Sequence, residues 1–304
     1  MADSPRYLVD KRPRALAVLA ASAMLFGAMA VVTRTVTAHI SAAQVAAIRF
    51  AIGLVGMGAL IALRPAWWRA TRPVLLGARG LFGALSVLAY FFAIQHVNTG
   101  MATLMNYTFP LWAAVFSAQF LGERITARMT VGMVLSLTGL VIVVGPAGFA
   151  AASGGSLWLG LALGIGSSVS GGAATTIVRL LRRTDSAPSI FTAFCAMGLV
   201  VSTPLALATW RPIPVEVWPR LMLIGLLSLC AQLMFTWALG YVPAGQGGMT
   251  TQLTVVASYG LAWLFLDEPV TPVVFAGAAV VMTGIWLVSS HRPPAPAHVP
   301  DEPE

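Results

Sequence analysis

Ten stretches of mostly apolar residues follow one another along the chain, and short polar connections separate them. Each stretch is close to the roughly 20 residues that an α-helix needs to cross a bilayer. The pattern predicts an all-α integral membrane fold with spans over residues 15–33, 42–63, 75–95, 99–120, 129–146, 157–178, 189–209, 219–239, 243–265 and 272–289. Connections this short leave little room for a soluble domain.

A repeat at a constant offset of 145 residues accompanies this pattern and needs no gap. Arg34 matches Arg179, and Glu123 matches Glu268. Charged identities at one offset are hard to obtain by chance. Five spans per copy is an odd number, so the second copy enters the membrane from the opposite side, which is typical of inverted-repeat transporters. The predicted units are a cytoplasmic segment 1–14, a first repeat 15–146, a linker 147–156, a second repeat 157–290 and a disordered cytoplasmic tail 291–304.

Polar residues at the starts of three spans fit helix caps. Ser41 with Gln44 predicts a capping box at the second span, and Thr126 and its repeat equivalent Thr271 predict N-caps. Pro272 suits the first position of the last helix.

Composition and charge then set the class and the orientation. Hydrophobic residues make up 58% of the chain and charged residues 9%, against roughly 25% charged in soluble domains. Thirteen Lys and Arg fall on the side of the two termini and three on the opposite side. This bias predicts that both termini lie on the cytoplasmic side of a bacterial inner membrane. The net charge of +8 is dispersed between apolar runs, so no nucleic-acid surface is expected.

Small and polar residues recur at helical spacing along the fourth span, and its equivalent, the ninth span, is again mostly small or polar. Two such stripes predict a central cavity that binds substrate. The candidate substrate-binding residues are Asn106, Tyr107, Thr103, Thr251, Gln252, Tyr90, Gln232, Ser167 and Trp112. Close helix packing explains small and polar faces equally well, so that alternative stays open for each residue.

Four further residues are candidates for gating or structural roles: Glu123, Glu268, Pro110 and Arg49. The two glutamates lie at corners outside the apolar runs. Pro110 removes a helix hydrogen bond near Asn106. Arg49 lies about seven residues inside the second span, where a charge is expensive; function and snorkelling to the interface are both open.

Both copies carry a similar signature around the fourth and ninth spans. The first reads VNTGMA at 97–102 and FLGERIT at 120–126, and the second reads YVPAG at 241–245 and FLDEPVT at 265–271. The chain thereby resembles the EamA-type transporters of the drug/metabolite transporter superfamily over residues 15–290. It departs from the pattern at Val255, where the first copy has Pro110, and at Asp267, where it has Gly122. The resemblance implies ten helices around a central cavity and transport of small metabolites.

Several chemistries have no residues to support them. The single lysine, Lys11, excludes a Walker A motif, so this chain does not itself hydrolyse ATP. No Asp or Glu falls deep in a span, and the histidines show no metal-ligand spacing. We expect no cofactor, no metal and no enzyme activity. Facilitated diffusion, exchange against a counter-substrate and proton coupling stay open, as do monomer and homodimer.

The preferred function is therefore a secondary transporter that exports amino acids or related metabolites by alternating access. The alternatives are a lipid-linked substrate flippase of the same superfamily and an importer of vitamins or nucleotide precursors. A non-transporting receptor or assembly factor, which would need no shared cavity, ranks lower.

Overall fold

Helices account for the regular structure in the part of the chain that the computed structural model describes, residues 6–97, 99–145, 155–266 and 271–290. Two short 3₁₀ turns, Pro65–Trp67 and Val215–Val217, lie in connections. The helices are α1 Arg6–Thr37, α2 Ala42–Leu63, α3 Pro73–His96, α4 Thr99–Asn106, α5 Phe109–Leu121, α6 Ala127–Val144, α7 Gly155–Leu181, α8 Ala187–Ala208, α9 Trp218–Ala238, α10 Ala244–Thr250, α11 Leu253–Leu266 and α12 Pro272–Ser290.

Eight of these helices are long and apolar enough to cross a membrane singly. The other four pair in sequence as α4 with α5 and α10 with α11, so the predicted count of ten spans is approximately supported. The predicted spans 99–120 and 243–265 are not single continuous helices. Both are interrupted, at residues 107–108 and 251–252, which are nearly equivalent positions of the two repeats.

The inverted repeat is visible in the way that α6 packs on α12. Gly132 lies against Gly284, and Gly139 lies against Gly277. These two contacts exchange when 145 is added to the first-copy residue and subtracted from the second-copy residue, as a pseudo-two-fold axis between the helices requires. Since glycine has no side chain, the two backbones can approach closely. A Cβ on Gly284 would lie only 2.5 Å from the Gly132 carbonyl oxygen.

The start of α1 and the end of α12 lie at the same end of the bundle. Arg12 Nη2 donates to the Ser289 carbonyl at 3.2 Å and to Gln246 Oε1 at 3.2 Å. We call this the terminal end. The opposite, far end holds the α1–α2 and α8–α9 connections, where Gln44 Nε2 donates to the Arg211 carbonyl at 2.8 Å. An even number of spans returns the chain to its starting side, as this arrangement shows.

Local capping follows the predicted chemistry. Ser41 and Gln44 form a reciprocal capping box at α2, with bonds of 3.2 and 3.1 Å. Thr126 Oγ1 accepts from the Met129 amide at 3.3 Å, and α12 begins at Pro272. The first helix begins at Arg6 instead of residue 15, because its polar first turns continue the helix beyond the apolar run.

Candidate functional site

The two broken spans meet at the pseudo-two-fold axis. Pro110 has no N–H to offer the Asn106 carbonyl, and the Leu111 amide turns to Thr108 at 3.0 Å, which leaves the Tyr107 carbonyl without its helical donor. Gln252 Nε2 donates to that carbonyl at 3.1 Å. Tyr107 and Gln252 are 145 residues apart, so this bond joins equivalent positions, and it therefore lies on the axis. The breaks in the two copies are thus held together directly.

A hydrogen-bonded cluster joins α3, α4 and α7 beside this break. Asn106 Nδ2 donates to Ser167 Oγ at 2.6 Å, and Ser167 Oγ lies 2.8 Å from the Ser86 carbonyl, to which it donates. Ser86 Oγ donates in turn to the Ser167 carbonyl at 2.8 Å. Gly171 makes room for Ser86 on the next turn of α7. The cluster shows how an amide is kept among apolar helices, where an unpaired polar group would be costly.

Aromatic hydroxyl groups extend the polar surface toward the start of α4. Tyr90 Oη and Thr103 Oγ1 are 2.8 Å apart, and the Tyr107 hydroxyl bonds the Thr254 side chain. Tyr90, Thr103 and Tyr107 are all half-buried. The structure therefore brings five of the predicted substrate-binding residues together, namely Tyr90, Thr103, Asn106, Tyr107 and Ser167, with Gln252 joined through the Tyr107 carbonyl.

At the terminal end an ion pair fastens four helices. Gly122, with φ of 70°, ends α5 and turns Glu123 toward α7. Arg179 Nε donates to Glu123 Oε1 at 2.9 Å, and the Ala244 amide at the start of α10 donates to Glu123 Oε2 at 3.1 Å. Arg179 Nη1 also donates to the carbonyls after α9, Leu239 at 2.9 Å and Gly240 at 2.6 Å. We call this set the terminal-end lock.

The other predicted residues are dispersed around the bundle. Thr251 is buried and donates to the Gly248 carbonyl at 2.6 Å, and Pro110 packs against the same glycine. Trp112 packs on Gly172 of α7. Gln232 is half-buried on α9, and its Oε1 has no hydrogen-bond partner among the described residues. The prediction for Glu268 falls outside the described residues.

A cavity of about 360 Å³ lies at the terminal end between α1, α9 and the start of α8. Its lining includes Arg14, Arg69, Trp67 and Trp237, together with apolar residues. None of the predicted substrate-binding residues lines this cavity, so it is a separate feature from the polar cluster around Asn106.

Comparison with known proteins identifies the family of this chain. The model of the EamA-like transporter family matches residues 13–145 and again residues 158–290, which together make up most of the chain. The chain belongs to the EamA-like transporter family. The resemblance seen in the signature segments is confirmed, and with it the all-α architecture of two repeats. This EamA-like protein is therefore a multi-pass membrane transporter.

Individual relatives agree with the family. Pseudopaline exporter CntI of Pseudomonas aeruginosa strain UCBPP-PA14 is 29% identical over 278 residues, which cover 90% of this chain and 94% of the relative. Uncharacterized transporter YoaV of Bacillus subtilis strain 168 is 24% identical over 211 residues, covering 67% and 70%. A solved crystal structure of a protein superposes with a TM-score of 0.76 at 21% identity, covering 91% and 96%, and shows the shared fold.

Sequence reasoning missed one polar centre of this EamA-like transporter. Asp185 is fully buried in the α7–α8 connection and accepts bonds from the Thr71 amide, from Thr71 Oγ1 at 3.0 Å and from the Arg72 amide at 3.3 Å. It ties the α2–α3 connection to the terminal end. Asp185 has Ile40 at the equivalent position of the first repeat, so the symmetry search could not find it. An acid next to a cap residue, Ser186, was the available signal.

Proposed function

We propose that this EamA-like protein is a secondary transporter that exports a small organic metabolite by alternating access. The observation that carries the proposal is that equivalent helix pairs of the two repeats make unequal contacts among the described residues. Short α10 lies against α5 at the terminal end, whereas its equivalent α4 makes few contacts with α11 at the far end. Such a difference is expected of a transporter that is held in one of its two states.

The contacts at the terminal end are those of a closed gate. Gly245 of α10 lies against Ala114 of α5, close enough that a Cβ on the glycine would approach the alanine Cβ to 2.8 Å. Ala114 is 2% exposed, while its equivalent at the far end, Tyr259, is 38% exposed. This contrast supports a state that is sealed at the terminal end and open at the far end.

The terminal-end lock belongs to this sealed end. Arg179 is 3% exposed and paired with Glu123, and their equivalents in the other copy are Arg34 and Glu268. In an inverted repeat, the second state is obtained by exchanging the conformations of the two copies. In that state we expect Arg179 and Glu123 to separate. Glu123 and Glu268 thus act as gating residues in this proposal.

The direction of transport and the substrate are the finer parts of the proposal. The excess of Lys and Arg at the terminal end supports cytoplasmic termini in a bacterial inner membrane. A relative of this length and identity is named as an exporter, which supports export here. We propose amino acids or related metabolites as substrates, bound by the polar cluster of Tyr90, Thr103, Asn106 and Ser167.

Metabolite profiling tests the proposal. Cells that lack this protein are compared with cells that express it. The medium is then searched for compounds that only the expressing cells release. Each such compound is then measured in liposomes that contain the purified protein, with an inactive Arg34→Ala/Arg179→Ala variant as the matched control. If no compound crosses faster than in protein-free liposomes, the transporter mechanism proposed here is wrong.

A further inference from the structure

Two arginines lie inside spans, and neither forms an ion pair with an acid among the described residues. Arg49 belongs to α2 and Arg79 to α3, and Arg79 is only 5% exposed. The ten acidic residues of the chain all lie in terminal segments, in connections or at the ends of spans, and none falls within α2, α3 or α8. Glu123 already pairs with Arg179. Within the described part of the chain, the two guanidinium groups therefore have no acidic partner.

Arg79 lies on the face of α3 that carries the polar cluster. The spacing of Arg79, Gly83, Ser86 and Tyr90 is four, three and four residues, which aligns them along one side of a helix. Gly83 leaves the space that the arginine fills, since a Cβ there would collide with Arg79 Nη1. The stripe begins at Arg79 and reaches the Tyr90–Thr103 contact about 16 Å further along the helix.

Arg49 faces the interior from the opposite wall. It shares a face of α2 with Gly53, which packs on Cys195 of α8, and with Gly56, which packs on Leu229 of α9. Its Nη1 contacts Met29 Sδ of α1 at 4.0 Å. The side chain thus lies between α1, α8 and α9 and does not snorkel along the outside of the bundle. The functional alternative for Arg49 is the one that this position favours.

An aromatic pair connects the two cations. Arg49 lies 4.7 Å from the centre of the Phe50 ring, and Arg79 lies 4.4 Å from that of Phe194. The two rings touch edge to face with centroids 5.1 Å apart. Aromatic faces attract cations but accept no strong hydrogen bond. Arg79 Nε and Nη1 and Arg49 Nε are buried and have no acceptor among the described residues.

These N–H donors without acceptors indicate the chemistry of a ligand that could bind them. Guanidinium groups bind carboxylate and phosphate oxygens through short, charge-assisted and often bidentate hydrogen bonds. We propose that Arg49 and Arg79 form an anion subsite in the transport chamber and that the substrate carries an oxyanion, a carboxylate or a phosphate. The inference rests on the proposed transport function and narrows its substrate class. The anionic group accepts hydrogen bonds from the unpartnered guanidinium nitrogens, chiefly Arg79 Nε and Nη1, and the remainder of the substrate lies along Ser86 and Tyr90.

The test compares export by four forms of the full-length protein: wild type, Arg79→Gln, Arg79→Lys and Arg49→Gln. Arg220→Gln is the matched control, because Arg220 is an exposed arginine at the start of α9. The probes are the compounds that wild-type cells release, each assayed in proteoliposomes beside its amide or, for a phosphate, its methyl ester. Membrane content and thermal unfolding are measured for every variant.

We expect the released compounds to be acids, and their neutral derivatives to be transported at least about tenfold more slowly. Arg79→Gln is expected to lower transport of the acid by about tenfold or more, Arg79→Lys by less, and Arg220→Gln not at all. Arg49→Gln carries the same test if Arg79→Gln is not inserted. Carboxylate and phosphate sources are separated by the identity of the compounds.

Two results would overturn the anion subsite while leaving transport intact. One is a wild-type protein that exports only compounds without an oxyanion. The other is a set of well-inserted arginine variants that transport the acid as fast as wild type. Absence of any transported compound is a different outcome, because it contradicts the transport function on which the subsite rests.

Discussion

The sharpest test of the gate is Glu123→Gln. The substitution keeps the shape of the side chain and an oxygen for the Ala244 amide, but it removes the negative charge that Arg179 faces at 2.9 Å. Removing one partner of a buried ion pair costs about 3–5 kcal/mol. Glu123 is 17% exposed, and Arg179 keeps two carbonyl acceptors. We therefore expect about 2–3 kcal/mol.

That cost falls only on the state in which the terminal end is sealed. It shifts the balance between the two states by roughly 30- to 160-fold toward opening at the terminal end. Ser117 is the reporter, since it is 1% exposed on α5 between the contact of Ala114 with α10 and the lock. Ser117→Cys is nearly isosteric, and it is placed in a protein whose two native cysteines, Cys195 and Cys230, are replaced by alanine.

The assay measures how fast membrane-impermeant thiol reagents modify position 117 in vesicles of either orientation. We expect Glu123→Gln to speed modification from the terminal side by more than tenfold, and from the far side not at all. Glu216→Gln is the control, because Glu216 is an exposed glutamate in the α8–α9 connection. Equal modification rates in Glu123→Gln and wild type would show that the pair does not seal this end. Arg179→Gln combined with Glu123→Gln should add little to either single change, as expected for partners in one interaction.

Three further substitutions follow from single contacts. Asn106→Leu leaves Ser167 without its donor and should abolish transport while membrane insertion stays normal, as flux and immunoblotting can check; unchanged flux removes Asn106 from the site. Gly284→Val places a side chain against the Gly132 carbonyl and should lower the thermal midpoint by several degrees, whereas Gly58→Val, with open space around it, should not. Asp185→Asn removes the charge that holds the Thr71 and Arg72 amides and should destabilise the detergent-purified protein by about 1–3 kcal/mol, measured by urea or thermal unfolding.

Much of the fold could be predicted because the features of a membrane helix depend mainly on residues that are close together in the sequence. Span length follows from hydrophobic thickness, the caps at Ser41 and Thr126 follow from side chains within three residues, and the repeat is visible as identities at one offset. Pro110 predicted the loss of a helix hydrogen bond near Asn106, and the helix is interrupted there. In each case the responsible residues are neighbours in sequence.

The remainder depends on contacts between distant residues. The second span break falls at Thr251 and Gln252, and Gln252 contacts a carbonyl 145 residues away. Arg179 was recognised only as the equivalent of Arg34, because nothing local shows that it meets Glu123, 56 residues earlier. The grouping of Tyr90, Asn106 and Ser167 was predicted by residue type. Their role in substrate binding stays a prediction.

Differences between the two copies matter as much as their likeness. Two identical inverted copies would give two states of equal energy, so any preference must come from positions where the copies differ. Asp185 of the second copy is equivalent in sequence to Ile40 of the first, and Arg79 of the first copy is equivalent to Ile224 of the second. Asp185 adds hydrogen bonds at the terminal end that its apolar equivalent cannot make at the far end.

An exporter must nevertheless open its terminal end to collect substrate from the cytoplasm. A ligand can shift this balance only by binding one state better than the other. Arg79 lies on α3, whose start is tied to Asp185 through the Thr71 and Arg72 amides. An anion held by Arg79 therefore acts on the helix that Asp185 anchors. A substrate whose charge binds at the proposed anion subsite would thus lie where it can offset the preference that Asp185 gives to the sealed terminal end.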